Sequence, residues 1–458
     1  MKSEKLKLKM LILILFLLNI VSCKEKPPVV PPQPPETKVT LMEENKSCTE
    51  IWVRLTLENF TLPVYVELKK DGSPEIQISN FTSNDTLLYI DSLWPGKTYN
   101  INAIVTNTEQ IDTSAWLQAV TLDTTTHNFN YQTFELGDPS TGNSSILWDV
   151  DIIDENNIWA VGEIYVNDSL GMARRYNAAH WDGNNWDLER IPYYYQGQSF
   201  YNPIQSILTF DINDIWFCGN GVIHWDGNQY NPISIPISIW GPYQMNKIWG
   251  TSSDNLYIIG NNGNIAYYNG SGWRSIESGT ELDLTDSYGN SNEEVYSSGV
   301  NIAESEGILL KGNSDQFNVM INSEIITENE LFSKLYGILE SVWIDENNTL
   351  YTGGNLLFQY KNSEWDYVRS LPENYIGGNP GTYYRGFIYS IRGNGSNDYI
   401  IAGDRNTLKH FNGLSWEQLG LPYDPQSPII WRSVRMKNNT AVAVGDKGSK
   451  AFIILLNK

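Results

Sequence analysis

The chain has 458 residues, 41% of them hydrophobic and 12% aromatic, with 53 acidic against 31 basic side chains and a formal net charge of −22. That balance excludes nucleic acid and anionic headgroups as natural partners, because affinity for them comes from neutralising phosphates with Lys and Arg. The acidity serves mainly to keep the protein soluble.

The N-terminus predicts a targeting segment. Lys2, Lys5, Lys7 and Lys9 make a basic region, and Met10 to Leu18 is an apolar run too short to span a bilayer. The "IVSC" that follows resembles a lipobox, in which a bacterial peptidase cuts before an acylated cysteine. The resemblance implies residues 1–22 as a signal peptide and Cys23 as a lipidated first residue anchored in the bilayer, since each buried CH₂ adds about 0.8 kcal/mol. Lys24 stands where an aspartate would retain such a lipoprotein in the inner membrane, which implies the outer membrane of a Gram-negative cell; Lys24 does not decide the face of that membrane, and surface display is a separate expectation. Residues 23–36, with six prolines in "PPVVPPQPP", read as an extended polyproline II stalk.

Residues 37–125 alternate apolar and polar in short runs, "EIWVRLTLE", "PVYVELKK", "TLLYIDSL", "TYNINAIVTN" and "WLQAVTLDT". Five to seven strands in so short a stretch predict a β-sandwich. The segment "LWPGKTYNINAIV" resembles the corner of fibronectin type III modules, which implies that the Tyr99 hydroxyl bonds back to the chain and that Trp52 is the buried tryptophan. Such modules serve as spacers or adhesive units.

From residue 126 to 458 the chain repeats. One strand ends in glycine seven times: "NNIWAVG" at Gly162, "NDIWFCG" at Gly219, "DNLYIIG" at Gly260, "EEVYSSG" at Gly299, "NTLYTGG" at Gly354, "NDYIIAG" at Gly403 and "NTAVAVG" at Gly445. From Gly162 to Gly445 is 283 residues over six intervals, about 47 each, which is the size of a four-stranded propeller blade. Each copy continues to a hairpin such as "HWDGNNW", with DG or NG at Asp182, Asp226, Asn269 and Asn412 suiting the positive φ of tight turns. An aromatic follows at Trp186, Tyr230, Trp273, Phe317, Trp365 and Trp416. The last copy has no room for a fourth strand, and "YQTFELG" at 131–137, with Tyr131 at the aromatic place, predicts the strand that closes the ring. The count is seven, with six or eight compatible because the fourth copy is weak. The repeat resembles sialidase-type, Asp-box propellers of bacterial surface proteins, although here the acid adjoins the glycine and the preceding serine is absent. The resemblance implies the architecture and no particular enzyme. The expected fold is all-β: a sandwich followed by a seven-bladed propeller whose N-terminal strand completes the last blade.

Long insertions fall on the face of the b-to-c and d-to-a connections: "EIYVNDSLGMARRYN", "YYYQGQSFYNP", "NYIGGNPGTYYRGF" and "YDPQSP". Tyr and Arg offer binding area at modest entropic cost, so the candidate ligand-binding residues are Arg174, Arg175, Tyr193, Tyr194, Tyr195, Phe200, Tyr201, Tyr375, Tyr383, Tyr384 and Arg385. The same aromatics also suit a plain packing role. His180, His224 and His410 share one repeat position and are therefore spread around the ring, His127 stands alone, and Cys48 and Cys218 lack a neighbouring His. "DIIDENN" and "SSDN" read as solvated turns and match no EF-hand. No catalytic set, metal site or cofactor is expected. The reading is a monomeric, non-enzymatic envelope lipoprotein that binds a protein or a glycan on its propeller face. The alternatives are a glycan-active hydrolase or lyase, which needs paired acids and for sialidases an arginine cluster drawn from Arg174, Arg175, Arg385, Arg392, Arg405 and Arg432, and an envelope assembly factor with a membrane protein as partner.

Overall fold

The computed structural model describes residues 35–195, 197–291, 294–323, 335, 337–361, 364–367 and 387–458. Cys23 and the loop residues Tyr375, Tyr383, Tyr384 and Arg385 lie outside them. The chain is all-β, with a single 3-10 turn at Pro139–Thr141 among the described residues. Contacts divide it into two compact units, one made of Met1–Met42, Arg54–Leu87 and Asn100–Leu117, the other of Glu43–Val53, Leu88–Tyr99 and Gln118–Lys458.

The N-terminal strands form two sheets. One has the order Lys38–Lys46, Ile51–Glu58, Asp85–Ile90, and the other the order Ser73–Phe81, Val64–Lys70, Thr98–Thr106, Ile111–Thr113, with Leu117–Val120 also on Thr98–Thr106. The alternation read in the sequence appears as burial: Val53, Leu55 and Leu57 are inside, as are Val64, Val66 and Leu68, and Ile101, Ala103 and Val105. Eight strands form where five to seven were expected. Lys38–Lys46, Ser73–Phe81 and Ile111–Thr113 lie outside the five alternating runs, and Ser73–Phe81 is mostly exposed, with only Phe81 buried. Tyr99 is buried, and its hydroxyl accepts a 2.9 Å hydrogen bond from the Trp94 amide.

Apart from the small hairpin of Tyr193–Tyr195 and Gln198–Phe200, the remaining strands among the described residues form seven four-stranded antiparallel sheets. Their first strands are Ile146–Asp154, Ile204–Asp211, Met245–Ser252, Asp283–Ser291, Leu339–Ile344, Ile388–Gly395 and Ile429–Lys437. Each of these packs on the first strand of the next sheet, and the last packs on the first, so the sheets close into the ring of a β-propeller. The seventh sheet takes its outer strand from Asn130–Leu136, paired in full register with Lys450–Asn457. Apolar residues fill the space between sheets, as where Val150, Ile158 and Ala179 of the first pack on Val442, Val444 and Ile453 of the seventh.

"HWDGNNW" is part of this masonry. The Asp182 side chain accepts from the amides of Asn184 and Asn185 at 2.7 Å, closing the hairpin so that Trp181 faces Trp186 across it. Asp226, Asn269, Asn313 and Asn412 do the same in other sheets. The repeat histidines are tie bars: His180, His224 and His410 each bond through Nε2 to the residue that opens the neighbouring strand, Asn157, Asp214 or Asp398, at 2.7–2.8 Å. His127 does not stand alone, since its Nδ1 lies 2.8 Å from Nδ1 of His410 and its Nε2 lies 3.0 Å from the Ser415 hydroxyl.

Candidate functional site at the channel mouth

The repeat glycine builds the site. In all seven sheets it pairs with an apolar residue near the start of the inner strand, Leu147 with Gly162, Ile204 with Gly219, Met245 with Gly260, Leu284 with Gly299, Leu339 with Gly354, Ile388 with Gly403 and Trp431 with Gly445. The next residue of the inner strand has no partner, and pairing resumes one position later. Every inner strand thus carries a β-bulge at one place. A Cβ on Gly162, Gly260, Gly354, Gly403 or Gly445 would fall on the carbonyl oxygen just before the bulge, so the bulged geometry requires glycine opposite it.

A bulge re-aims side chains, and here it turns one extra residue per sheet into the central channel. Those residues are Trp148, Gln205, Asn246, Thr285, Glu340, Tyr389 and Arg432. All seven line one cavity of about 300 Å³ at the end of the channel where the inner strands begin. That end belongs to the d-to-a and b-to-c connections, which contribute Asn261 and Ile302, while the strand ends add Asp283 and Val300. The flanking inner-strand positions are monotonous: Leu, Ile, Met, Leu, Leu, Ile and Trp before the bulge, and an aliphatic in six copies of the position after next. The bulged residue alone differs in all seven.

Beneath this rim lies a floor of buried charge. Asp149 accepts hydrogen bonds from Ser206 Oγ (2.7 Å), Ser433 Oγ (2.8 Å) and Lys247 Nζ (2.8 Å), tying the first sheet to the second, seventh and third. Asp286 accepts from Ser341 Oγ (2.9 Å) and Arg392 Nη2 (2.7 Å), tying the fourth to the fifth and sixth. The Asp149 and Asp286 carboxylates also take backbone amides of the next sheet, Ile207 and Val342. Burial alone would raise both carboxyls. The cations beside them, chiefly Lys247 for Asp149 and Arg392 for Asp286, hold both below the usual carboxylate range. Every charge in the floor is therefore matched, as a stable buried network requires.

The rim is not fully matched. Arg432 gives its Nε to Asp446 at 3.0 Å, and its guanidinium lies 5.0 Å from the Trp148 ring and 5.3 Å from the Tyr389 ring. The Glu340 carboxylate accepts no hydrogen bond among the described residues. Burial pushes it up to about 7, with Asp286 adding to the rise and Arg432 opposing it. A carboxyl that burial raises in a cleft is a candidate functional group, although Asp345, outside this cavity, is raised to about 7 as well. Among the described residues no group of three or more His, Cys, Asp or Glu is placed to hold a metal ion.

The residues singled out from the insertions lie elsewhere. Arg174 pairs with Asp168 at 2.8 Å and Arg175 donates to the Tyr165 hydroxyl at 3.0 Å. Both sit in strand pairing, because the "EIYVNDSLGMARRYN" segment extends the Asn157–Asn167 and Ala173–Trp181 hairpin and is not a loop. Tyr193–Tyr195 and Gln198–Phe200 form a small hairpin. Tyr193 is buried between the first and second sheets and is a core residue. Tyr194 and Phe200 are exposed and, with Tyr193, line a separate hollow of about 520 Å³, while Tyr201 is covered by Arg190 at 3.7 Å. Of the arginines considered for a cluster, Arg432 lines the channel mouth, Arg392 serves the floor and Arg405 is exposed near Asp404. Six of the seven rim residues had no place in the sequence reading. The signal was present: each lies 14 residues before its repeat glycine, and 13 before it in the last copy.

No protein-family model and no curated protein matches the chain. Among solved structures it is similar to YCF48 bound to D1 peptide, with 15% identity, 73% of this chain and 99% of that one covered, and a TM-score of 0.49. It is also similar to the WD40 β-propeller domain of Doa1 (12%, 72% and 98%, 0.46) and to YCF48 from Cyanidioschyzon merolae (10%, 71% and 98%, 0.46). At such identities the likeness is one of fold.

Proposed function

We propose that this protein is a non-enzymatic binding protein of the bacterial envelope that captures its ligand at the channel mouth. One observation carries the reading: seven bulges deliver seven different side chains, none aliphatic, to one cavity. Ring packing alone places no demand for variety at that position, as the uniform residues around it show. In this reading the seven sheets are the blades of a seven-bladed propeller. The N-terminal strands, with the Trp94 amide on the Tyr99 hydroxyl, are a fibronectin type III spacer, and lipidated Cys23 with the proline stalk anchors a monomer at the outer-membrane surface. The Tyr194 and Phe200 hairpin is an auxiliary surface.

The experiment is to present the full-length chain and its Trp148→Ala, Glu340→Ala, Arg432→Ala triple variant to glycan and peptide arrays. The reading expects binding by the parent that the folded triple variant loses. Equal binding by both would overturn it. A glycan-active hydrolase is the second reading, favoured by Glu340, whose raised pKa suits a general acid. It requires turnover of a bound glycan that Glu340→Gln abolishes.

A further inference from the structure

We propose that the channel mouth takes an uncharged pyranose unit of a neutral glycan. The proposal rests on the reading of this cavity as the binding site and names its ligand class.

The charges of the cavity argue against an anionic ligand. Its two cations are already matched, Lys247 by Asp149 at 2.8 Å and Arg432 by Asp446 at 3.0 Å. Glu340 and Asp283 also line it, and neither has an ion-pair partner among the described residues. A sialoside, a uronate or a peptide C-terminus would bring negative charge to a site with no positive charge to spare. A cationic ligand meets Glu340 but must lie beside the Arg432 guanidinium in the same small space.

The hydrogen-bonding groups fit a polyol. Gln205 brings an amide to the rim with no intramolecular partner among the described residues. Asn246 spends its Nδ2 on Asn261 and on the Leu284 carbonyl, which leaves its oxygen to accept. Glu340 accepts, and Arg432 keeps its Nη donors beyond the Asp446 bond. Planar amide, carboxylate and guanidinium groups each span two hydroxyls on adjacent ring carbons, and hydroxyls both donate and accept. The Trp148 and Tyr389 rings line the cavity beside the Arg432 guanidinium and add apolar surface that suits the C–H face of a pyranose. A cavity of about 300 Å³ lies at the small end of ligand sites and suits one ring, with the rest of the glycan outside.

The test is calorimetric titration of the full-length chain with a panel of neutral oligosaccharides, their sialylated or uronate counterparts, and acidic and basic peptides. We expect neutral oligosaccharides to bind in the millimolar range or tighter. Affinity should fall at least tenfold in Trp148→Ala and in Glu340→Leu, and severalfold in Gln205→Ala, a rim substitution that removes no intramolecular bond. Binding of acidic glycans or of peptides in place of neutral sugars, lost in the same variants, would overturn this inference and leave the channel-mouth site standing. Neutral-glycan binding untouched by all three substitutions would put the sugar elsewhere and overturn the inference. Silence toward the whole panel, with an envelope partner captured equally by parent and variants, would overturn both readings.

Discussion

Gly445→Ala is the sharpest test of how the repeat makes its site. The alanine Cβ would land on the Ile430 carbonyl oxygen, inside the 3.0 Å limit that real Cβ atoms respect, so the carbonyl must retreat by about 1 Å or more. Ile430 precedes the bulge at Arg432, and Trp431 pairs with Gly445 across the strands. Overpacking of this kind costs about 1–3 kcal/mol, a displaced backbone hydrogen bond adds about 1 kcal/mol, and the reduced entropy of the unfolded chain returns about 0.4–1 kcal/mol. The expected net loss is about 1–3.5 kcal/mol. Gly272→Ala is the control: nothing lies within 4 Å of its Cβ and its φ is not positive, so it should be neutral or stabilise by a few tenths. The assay is the urea midpoint of the full-length chain with the slope monitored for loss of cooperativity. A Gly445→Ala midpoint equal to that of Gly272→Ala would refute the claim that the glycine exists to admit the bulge.

Other expectations follow from the same geometry. Asp286→Ala leaves Arg392 buried without its carboxylate and should cost about 3–5 kcal/mol by denaturation, while Asp286→Asn, which keeps acceptors for Ser341 and Val342, should cost less. Tyr99→Phe removes the acceptor for the Trp94 amide and should cost about 1–3 kcal/mol, with faster hydrogen exchange at that amide. Burial lowers the pKa of His127, His180 and His410, so the unfolded chain takes up protons first. Their contribution is full above the unfolded value near 6.5 and is lost as pH falls through it. Glu340 acts in the opposite sense, because a carboxyl raised to about 7 binds its proton in the folded state and stability falls as pH rises from about 4.5 to 7. The check is the difference between variants: Glu340→Gln should gain stability over the parent at pH 8 and little at pH 4, and His410→Gln should flatten the loss between pH 7 and 5.

The fold was legible because two periods are strong in this chain. Alternation marked most of the N-terminal strands, and the recurring glycine with the DG or NG hairpin marked the sheets, down to the strand at 131–137 that completes the seventh. The same regularity explained the histidines, whose shared position made them struts. The site was less legible because insertion length and Tyr content drew attention outward, while the residues at the channel mouth sit inside regular strands where alternation predicts a single facing residue. A bulge breaks that alternation: Trp148 and Asp149 both turn to the channel although they are adjacent in sequence. The glycine that marks the repeat also signals the bulge, because its missing Cβ is what lets the inner strand bend. Tyr193 shows the converse error, since a tyrosine in a long insertion proved to be a core residue filling the gap between two sheets. His127 paired with His410 because the strand that closes the ring brings residues 127 and 410 together from opposite ends of the propeller sequence.

The most direct test of the central claim is photocrosslinking on intact cells with a benzophenone side chain placed at Gln205 on the channel rim or at Tyr194 on the outer hairpin. An adduct formed from position 205 and competed away by bound ligand, with none from position 194, is the result the account predicts. Adducts from position 194 alone would contradict it and move the binding surface to the aromatic insertion.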